Sequence, residues 1–382
     1  MLKVHIRPHW EISFGAAAPL DTAVLLGLLL AIHDHGSIAS AARETGLSYR
    51  YAWGLLREAE GLFGEPLLAT GRGRGTTLTA LAQKLVWADR RIAARLSPTL
   101  ESLASELEAE LGKVRTRTSD LRTIRMDASY GFAVAALTSY LNRPEAPARP
   151  PAQAPAQATD QLPSEVPIEL RYRTSTDAVA ALARGECDLA GFHVPEGEFE
   201  ARTARWYLRW LDPDQHCLVH LAGREQGLLV APGNPLGVMG LPDLARPGLR
   251  FVNRQAGSGT RMVLEMMLED AGIVPEAING WNSAEFTHSA VAAYIASGMA
   301  DVGIGMRTAA EQFKLGFIPL VRERYFFALH LDALRDSLMA QLLAVLRQPG
   351  YHRLVDALPG YDATRTGDIE SLQDAFKSTG NP

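Results

Sequence analysis

A glycine-rich loop in the second half of the chain could bind an anion. This loop, NRQAGSGTR at residues 253–261, follows a strand predicted at residues 249–252 and opens a helix predicted at residues 262–271. Glycines leave backbone N–H groups free to face a ligand, Ser258 and Thr260 add hydroxyl donors, and a helix N-terminus is partly positive. No lysine follows the glycines, and the spacing differs from that of a Walker A loop. A plain strand-to-helix turn is the alternative.

Two other predicted strands also end in a serine. Ser129 closes a strand predicted at residues 121–129, and Ser175 follows a strand predicted at residues 168–173. Each strand is followed by a helix, which is typical of an α/β protein with a parallel sheet, and ligands bind such sheets where the strands end. The three hydroxyl-bearing strand ends could therefore converge on one small anion.

Enzyme and metal motifs do not occur in the sequence. It has no G-x-S-x-G, H-E-x-x-H or paired-carboxylate pattern, and its ten histidines are not grouped at ligand spacing. Cys187 and Cys217 lack the spacing of a zinc site or a disulfide framework. We therefore predict a protein that is not an enzyme, with no metal and no cofactor. A cytoplasmic oxyanion-binding protein, a transport receptor or an enzyme that carries an N-terminal helical domain is the alternative.

Length and composition indicate a soluble protein of more than one domain. The chain has 382 residues, of which 47% are hydrophobic, and a mean hydropathy of -0.04. The net charge of -5 argues against a uniformly basic nucleic-acid binder. Residues 1–20 are too polar for a signal peptide, and the apolar run at residues 23–32 is about half of a bilayer span. We expect a cytoplasmic protein with no membrane segment.

Residues 36–60, GSIASAARETGLSYRYAWGLLREAE, have the pattern of a helix-turn-helix. Ser37 can cap a first short helix, Gly46 can leave it at positive φ, and Ser48 can cap a second helix at residues 49–62. The N-terminal end of a recognition helix meets base edges and phosphates. We predict DNA contacts from Ser37, Ser48, Tyr49, Arg50 and Trp53. A helical hairpin of some other all-α core is the alternative.

A short basic hairpin is predicted after these helices. The sequence GRGRG at residues 71–75 lies between strands predicted at residues 63–68 and 76–79. Its glycines allow close approach to DNA, and Arg72 and Arg74 supply positive charge, as in the wing of a winged helix-turn-helix. A flexible hairpin with solvated arginines is the alternative.

A long helix with an apolar seam follows at residues 79–112. Pro98 should kink this helix or restart it, with Ser97 as the new cap. Apolar residues that step by three or four need a partner helix, so we predict dimerisation along the seam. The seam consists of Leu81, Leu85, Ala88, Ile92, Leu96, Leu100, Leu103, Leu107 and Leu111.

These N-terminal motifs resemble a known family. The run GSIASAARETGLSYRYAWGLLREAEGLFGEPLLATGRGRGTTLTALAQ is similar to the winged helix-turn-helix of LysR-type regulators, and more closely to the molybdate-responsive ModE-type branch. The resemblance covers about residues 15–112. It implies binding to double-stranded promoter DNA as a homodimer or homotetramer.

A second resemblance covers about residues 121–360. The loop at residues 253–261 and the stretch THSAVAAYIASGMADVGIGMRTAAEQFKLGFIPL resemble the periplasmic-binding-protein-like domain of the molybdate and tungstate receptor group. In that group a GSGT-type loop and strand-terminal Ser or Thr hold a tetrahedral oxyanion between two lobes. The resemblance implies ligand contacts from Ser129, Ser175, Ser258, Gly259 and Thr260, to which we add Arg261 and His288. A capping or core role is the alternative for His288.

Charged residues set this sequence apart from a pocket of uncharged donors. Arg254, Arg261 and Asp177 lie close to the predicted contacts in the sequence and could favour a carboxylate or a larger anion. We therefore predict a transcriptional regulator controlled by molybdate or tungstate, with formate or another small carboxylate as the alternative effector.

The expected fold is α/β, with an N-terminal winged helix-turn-helix and a long dimerisation helix before a two-lobed type II periplasmic-binding-protein-like domain. The predicted boundaries are residues 1–112 for the DNA-binding domain with its dimerisation helix, residues 113–120 for a linker, and residues 121–382 for the effector domain. One lobe should comprise about residues 121–225 with 325–382, and the other about residues 226–324. The segment at residues 143–166, rich in Ala, Pro and Gln, is predicted to be a disordered insertion.

Overall fold

A computed structural model describes residues 2–13, 20–71, 75–115, 122–142 and 166–376. Within these residues the chain forms an N-terminal helical domain, one long helix and a C-terminal domain built on a ten-stranded mixed sheet. Most of the predicted linker (residues 116–120), nearly all of the predicted insertion (residues 143–165) and the wing residues Arg72 and Arg74 lie outside the described residues. No helix of the described part is both long enough and apolar enough to cross a bilayer.

The N-terminal domain is a helix-turn-helix with a hairpin behind it, as predicted. Its elements are β1 (Glu11–Ile12), β2 (Leu20–Asp21), α1 (Thr22–His35), α2 (Ile38–Glu44), α3 (Tyr49–Phe63), β3 (Leu68–Gly71) and β4 (Gly75–Leu78). The hydroxyls of Ser37 and Ser48 cap α2 and α3, and Gly46 has a φ of +70° in the turn between them. Apolar side chains from α1, α2 and α3 close one core.

The first strand of the wing hairpin, β3, begins at Leu68 and not at residue 63 as predicted. Helix α3 continues to Phe63 and ends at Gly64, whose φ of +69° suits a left-handed C-cap. The second strand is tied to the turn before α2, because Thr76 N donates to Gly36 O at 2.9 Å.

The long helix α4 (Ala80–Arg115) is continuous through Pro98, so the predicted restart at this proline is wrong. Proline has no N–H, which leaves the carbonyl of Ala94 without its intrahelical partner. That carbonyl accepts a hydrogen bond from Thr287 Oγ1 at 2.9 Å. Ser97 does not cap a new helix, and its hydroxyl lies 3.4 Å from that of Tyr130.

The C-terminal domain contains the remaining strands and helices. They are β5 (Ile124–Ala128), α5 (Phe132–Leu141), β6 (Ile168–Tyr172), α6 (Ser175–Ala183), β7 (Leu189–Pro195), α7 (Glu200–Leu208), β8 (His216–Val230), β9 (Phe251–Arg254), α8 (Gly259–Asp270), β10 (Ala284–Glu285), α9 (His288–Ala296), β11 (Val302–Met306), α10 (Arg307–Gln312), β12 (Gly316–His330), α11 (Ser337–Leu346), α12 (Pro349–Asp356), β13 (Tyr361–Asp362), β14 (Ile369–Ser371) and α13 (Leu372–Ala375). The strand order is β10-β9-β11-β8-β12-β7-β5-β6, with β13 and β14 also paired to β8.

Two long strands join the two lobes of this domain. We use lobe 1 for β5 to β7 with α5, α6, α7, α11 and α12, and lobe 2 for β9 to β11 with α8, α9 and α10. Strands β8 and β12 are paired antiparallel and run through both lobes. Apolar side chains pack on both faces of the sheet in each lobe, and both cysteines are buried and unpaired.

The boundaries of the glycine-rich loop differ from the prediction. Strand β9 extends to Arg254, and α8 begins at Gly259, three residues earlier than expected. The early start has a local cause, because Ser258 Oγ accepts a hydrogen bond from Arg261 N at 3.3 Å and caps the helix. Gly259 and Thr260 therefore belong to the first turn of α8.

Candidate functional site

A small cavity lies between the lobes and gathers most of the predicted ligand residues. Lobe 1 lines it with Ser129, Tyr130, Arg173, Thr174, Ser175 and His193. Lobe 2 lines it with Arg254, Gln255, Ser258, Gly259, Thr260, Phe286 and His288. All the predicted ligand residues except Arg261 are among these side chains. Their role in binding remains a prediction.

Three helices point their N-termini at this cavity. Ser175 is the first residue of α6, Gly259 of α8 and His288 of α9. A helix N-terminus carries roughly half a positive charge, and its first N–H groups have no partner inside the helix. Each helix is capped by the hydroxyl of the residue just before it. The cavity is therefore surrounded by positive potential from the backbone alone.

Arg254 adds a full positive charge at the cavity wall. Its side chain is 6% exposed, and Nε and Nη1 have no hydrogen-bond partner in the described part of the chain. Burial, together with the charge of Arg224, lowers the pKa of Arg254 to about 9, so the guanidinium stays protonated at neutral pH. A buried charge without a partner is costly. An anion in the cavity would supply the missing partner.

A buried ion pair lies behind Arg254. Arg224 on β8 and Glu323 on β12 are cross-strand neighbours, and Arg224 Nε donates to Glu323 Oε2 at 2.9 Å. Both side chains are fully buried. At the cavity wall, Arg173 is paired with Asp127 at 2.6 Å. Because Arg224 and Arg173 are each paired with a carboxylate, Arg254 is the arginine of this group whose positive charge is available to a ligand.

The imidazole of His193 stands between the donors of the two lobes. Its Nδ1 lies 3.3 Å from Ser175 Oγ and 3.5 Å from Ser129 Oγ. On the other side, a Cβ added to Gly259 would lie 2.4 Å from His193 Nε2, so only glycine allows this approach. Burial, helped by two nearby arginines, lowers the pKa of His193 well below its ordinary value, and the ring is neutral at pH 7.

Ser129 already uses its hydroxyl proton within the protein. It donates to the hydroxyl of Tyr325 at 3.1 Å, and Tyr325 donates in turn to Ser129 O at 2.7 Å. Ser129 must therefore rotate to donate to an anion. Within the described residues, Nε and Nη1 of Arg254 have no protein partner, and the helix N-termini add backbone N–H groups that face the cavity.

Arg261 does not line the cavity, and its prediction as a ligand contact is not supported. Its Nε lies 2.9 Å from Glu265 Oε1, one turn further along α8, and its guanidinium stacks on Trp281. Arg261 lies in the first turn of α8, and its side chain contacts Glu265 and Trp281, away from the residues that line the cavity. Asp177, mentioned above for its charge, accepts from the hydroxyl of Thr174 and also lies outside the cavity lining.

His288 lines the cavity and does not cap its helix. Thr287 provides the cap, and His288 is the first residue of α9. It is 2% exposed, and its Nδ1 has no partner within the described ranges. Burial, with Arg254 next in effect, lowers the pKa of His288 well below its ordinary value.

Several cavity residues were missed from sequence. Tyr130 and Phe286 carry no motif, and His193 lies within a strand with no polar pattern around it. Arg173 follows a strand directly, which is a signal that could have found it.

The N-terminal end of α3 forms an exposed aromatic and basic surface. Ser48, Tyr49 and Arg50 are exposed there, and Trp53 is 41% exposed one turn further on. The Tyr49 ring stacks on Trp53, and the guanidinium of Arg57 lies 4.8 Å from the Trp53 ring. This surface matches the predicted recognition end of the helix.

Two further residues qualify the DNA-contact prediction. Ser37 is half-buried, and its hydroxyl caps α2. Tyr51, which was not predicted, is 54% exposed beside the recognition surface.

Two family models match the chain. Residues 24–83 match the bacterial regulatory helix-turn-helix protein, lysR family. Residues 156–347, half of the chain, match the PBP superfamily domain.

Individual relatives are more distant. The chain is 31% identical over 199 residues to the uncharacterized protein YvgK of Bacillus subtilis (strain 168). This match covers 52% of this chain and 64% of YvgK. The chain thus spans just under two thirds of that relative. It is 35% identical over 107 residues to the molybdenum-pterin-binding protein MopB of Rhodobacter capsulatus, covering 27% of this chain and 39% of MopB.

Among solved structures, a hydrogen-peroxide-bound mutant of Corynebacterium glutamicum OxyR aligns with a TM-score of 0.40 and 13% identity, over 93% of this chain and 92% of that chain. A TM-score this low adds nothing to the two family matches. On those matches, the chain belongs to the PBP superfamily and carries an N-terminal helix-turn-helix of the lysR-family type.

Proposed function

We propose that this protein is a DNA-binding transcriptional regulator whose binding to promoter DNA is controlled by a small anion in the cavity between the lobes. The observation that carries the proposal is Arg254, a buried guanidinium with unpartnered N–H groups at a cavity that three helix N-termini also face. The exposed recognition end of α3 supports the DNA-binding part.

Charge favours an oxyanion with two negative charges. Arg224 and Glu323 cancel each other, which leaves the single charge of Arg254. The three helix N-termini add roughly half a charge each, which with Arg254 makes about two and a half positive charges, enough to balance a dianion. Molybdate and tungstate fit this balance, and the similarity to a molybdenum-pterin-binding protein supports them.

A small carboxylate is the second candidate. A guanidinium can hold a carboxylate through two parallel hydrogen bonds, and Arg254 offers Nε and Nη1 for that geometry. Formate, which consists of little more than a carboxylate, is the probe for this alternative.

Each complex is proposed to contain two copies of the DNA-binding surface, one from each subunit of a dimer. Leu96, Leu103, Leu107 and Leu111 are each at least 40% exposed along α4. They continue the spacing of an apolar seam, which suits a two-fold dimer that reads two half-sites. A tetramer built from two such dimers is compatible with this arrangement.

The anion part is tested by isothermal titration calorimetry with molybdate, tungstate, sulfate and formate. We expect heat with molybdate or tungstate and much weaker heat with sulfate. Strong heat with formate alone would move the assignment to the carboxylate. The absence of heat with all four anions would refute the proposed effector class.

The DNA part is tested by gel shift on a fragment selected by the wild-type protein from a random pool. Arg50→Ala should lower affinity for this fragment by about 1–3 kcal/mol, because the side chain is exposed at the recognition end of α3. Arg335→Ala, at an exposed arginine of the C-terminal domain, is the control and should bind normally. Normal binding by Arg50→Ala would show that α3 is not the recognition helix.

A further inference from the structure

One short stretch of helix α4 contacts both lobe 1 and lobe 2 next to the cavity between them. This stretch, which we call the bridging segment, comprises residues 94–105. Its contacts pass from lobe 2 to lobe 1 between Arg95 and Ser97. The same helix begins in the core of the DNA-binding domain, where Leu81 and Leu85 pack. One rigid element therefore contacts the DNA-binding domain, lobe 1 and lobe 2.

On lobe 1, the bridging segment is bonded to the backbone of an edge strand. Ser105 Oγ accepts from Leu170 N at 2.8 Å, and Ser102 Oγ accepts from Tyr172 N at 2.9 Å. Strand β6 is the last strand of the sheet on this side, so these serines satisfy N–H groups that no strand pairs. Ser97 also contacts the hydroxyl of Tyr130, which lines the cavity.

On lobe 2, the bridging segment is bonded to the residues around Phe286. Thr287 Oγ1 donates to Ala94 O at 2.9 Å, and Arg95 lies 3.9 Å from Glu285. Phe286 and His288, the neighbours of these contact residues, both line the cavity. A ligand that moves Phe286 or His288 must therefore act on the contacts with α4.

Pro98 leaves the Ala94 carbonyl without a helix donor at the lobe 2 contact. In an ordinary helix, the carbonyl of Ala94 would accept from the N–H of residue 98. Proline removes that donor, and interior proline costs a helix about 3 kcal/mol. Thr287 donates a hydrogen bond to this carbonyl, so the helix is bonded to lobe 2 next to the cavity.

We infer that the bridging segment of α4 transmits the effect of anion binding to the DNA-binding domain. The transmission uses the hydrogen bond from Thr287 to the Ala94 carbonyl that Pro98 leaves free. The inference rests on the proposed function for the identity of the signal. A rigid helix bonded to two lobes cannot keep both sets of bonds when the lobes move relative to each other. The helix then shifts with one lobe, and the DNA-binding domain at its N-terminal end shifts with it. The covalent linker after Arg115 is not needed for this route.

The decisive variant is Pro98→Ala. Alanine restores the N–H that satisfies Ala94 O within the helix, favours helix formation, and changes neither the cavity nor the DNA surface. Thr287→Ser keeps both the cap of α9 and the donor, and serves as the conservative variant. Thr308→Val is the matched control, because Thr308 makes a similar 2.8 Å bond to Pro359 O away from α4.

The first measurement is DNA affinity by fluorescence anisotropy, without anion and with saturating molybdate or, in parallel, formate. In the wild type, Thr287→Ser and Thr308→Val, the anion should change DNA affinity by about fivefold or more. In Pro98→Ala, calorimetry should find the same anion affinity, and DNA affinity should no longer respond. A full response in Pro98→Ala would overturn the inference while leaving the proposed function intact.

The second measurement needs no anion, because coupling between two sites is reciprocal. Hydrogen exchange of residues 168–174 and 284–292 is compared with and without bound DNA. We expect DNA to change exchange there in the wild type and not in Pro98→Ala. If DNA leaves these residues unchanged in the wild type, the inference is wrong, whatever the effector is.

Discussion

Arg254 is the residue whose environment says most about the ligand. Its replacement by methionine removes the charge and keeps much of the volume. Because an anion would lose a buried charged partner, we expect anion affinity to fall by about 30-fold or more, equivalent to about 2 kcal/mol. Calorimetry on the wild type and Arg254→Met measures this.

Arg261→Met is the control for this prediction. Arg261 is paired with Glu265 outside the cavity, so its loss should leave anion binding unchanged. The free protein provides a second check: Arg254→Met should unfold at the same or a higher temperature, since it removes an unpartnered buried charge. Weak binding by both variants would contradict the assignment of Arg254 as the anchor.

His220 predicts a pH dependence of stability. Burial lowers the pKa of His220 to about 4, with Arg365 and Arg324 nearby, whereas in the unfolded chain it titrates near 6.5. Below pH 6.5 the unfolded chain therefore binds a proton that the folded chain does not. The free energy of unfolding should fall by roughly 1.4 kcal/mol per pH unit from this residue, between about pH 6.5 and 4, and keep its full value above pH 6.5.

Urea unfolding at several pH values tests this slope. His220→Phe should flatten it, because a planar aromatic ring is kept at this position and the titrating group is lost. Phe326→Leu disturbs the same packing, since Phe326 lies edge-to-face with His220, but it removes no titrating group and should keep the slope. Equal slopes in the wild type and His220→Phe would contradict the account.

Local signals in the sequence predicted the residues that cap helices and end strands. Ser129, Ser175, Ser258 and Thr260 were all predicted at the cavity that the structure contains. His193 was not, because its importance comes from the lobe 2 helix that packs against it, and no local pattern records that contact. Arg261 directly follows the predicted loop contacts in the sequence, but its side chain contacts Glu265 and Trp281 outside the cavity, and these partners are not apparent from the loop motif.

Among the elements, α4 combines an exposed apolar stripe with half-buried serines on another face. Leu103 and Leu107 are 45% and 41% exposed, while Ser102 and Ser105 on another face bond to β6. We expect the wild type to be a dimer or larger at micromolar concentration. Leu103→Glu combined with Leu107→Glu should yield a monomer with DNA affinity reduced about tenfold or more, because like charges would face each other across the seam.

Light scattering coupled to size exclusion measures this assembly. Leu331→Glu, at an equally exposed leucine of the C-terminal domain, is the control and should stay assembled. A double variant that remains a dimer would place the interface elsewhere.

The spacing of apolar residues predicted where helices and strands lie better than it predicted which elements contact each other. The starts of α2 and α3 followed from the caps Ser37 and Ser48, and the turn between the two helices followed from Gly46. The restart at Pro98 was expected from local propensity, and it fails because a residue nearly two hundred positions later supplies the missing hydrogen bond. Tertiary contacts of this kind cannot be read from one stretch of sequence.

At the scale of the whole molecule, the account joins two sites that lie in different domains. The recognition end of α3 presents an aromatic and basic surface, and at the cavity between the lobes Arg254 Nε and Nη1 have no hydrogen-bond partner among the described residues. The sequence indicated both sites separately and placed a linker at residues 113–120 between their domains. The structure adds the direct contact of α4 with both lobes.

The most direct test of the central claim is a titration of the selected DNA fragment, followed by fluorescence anisotropy, in the presence and absence of molybdate, tungstate or formate. At saturating effector, the account predicts a change in DNA affinity of about fivefold or more in the wild type, and no change in Arg254→Met. Wild-type DNA affinity that stays the same with every one of these anions, at concentrations that saturate the cavity by calorimetry, would contradict it.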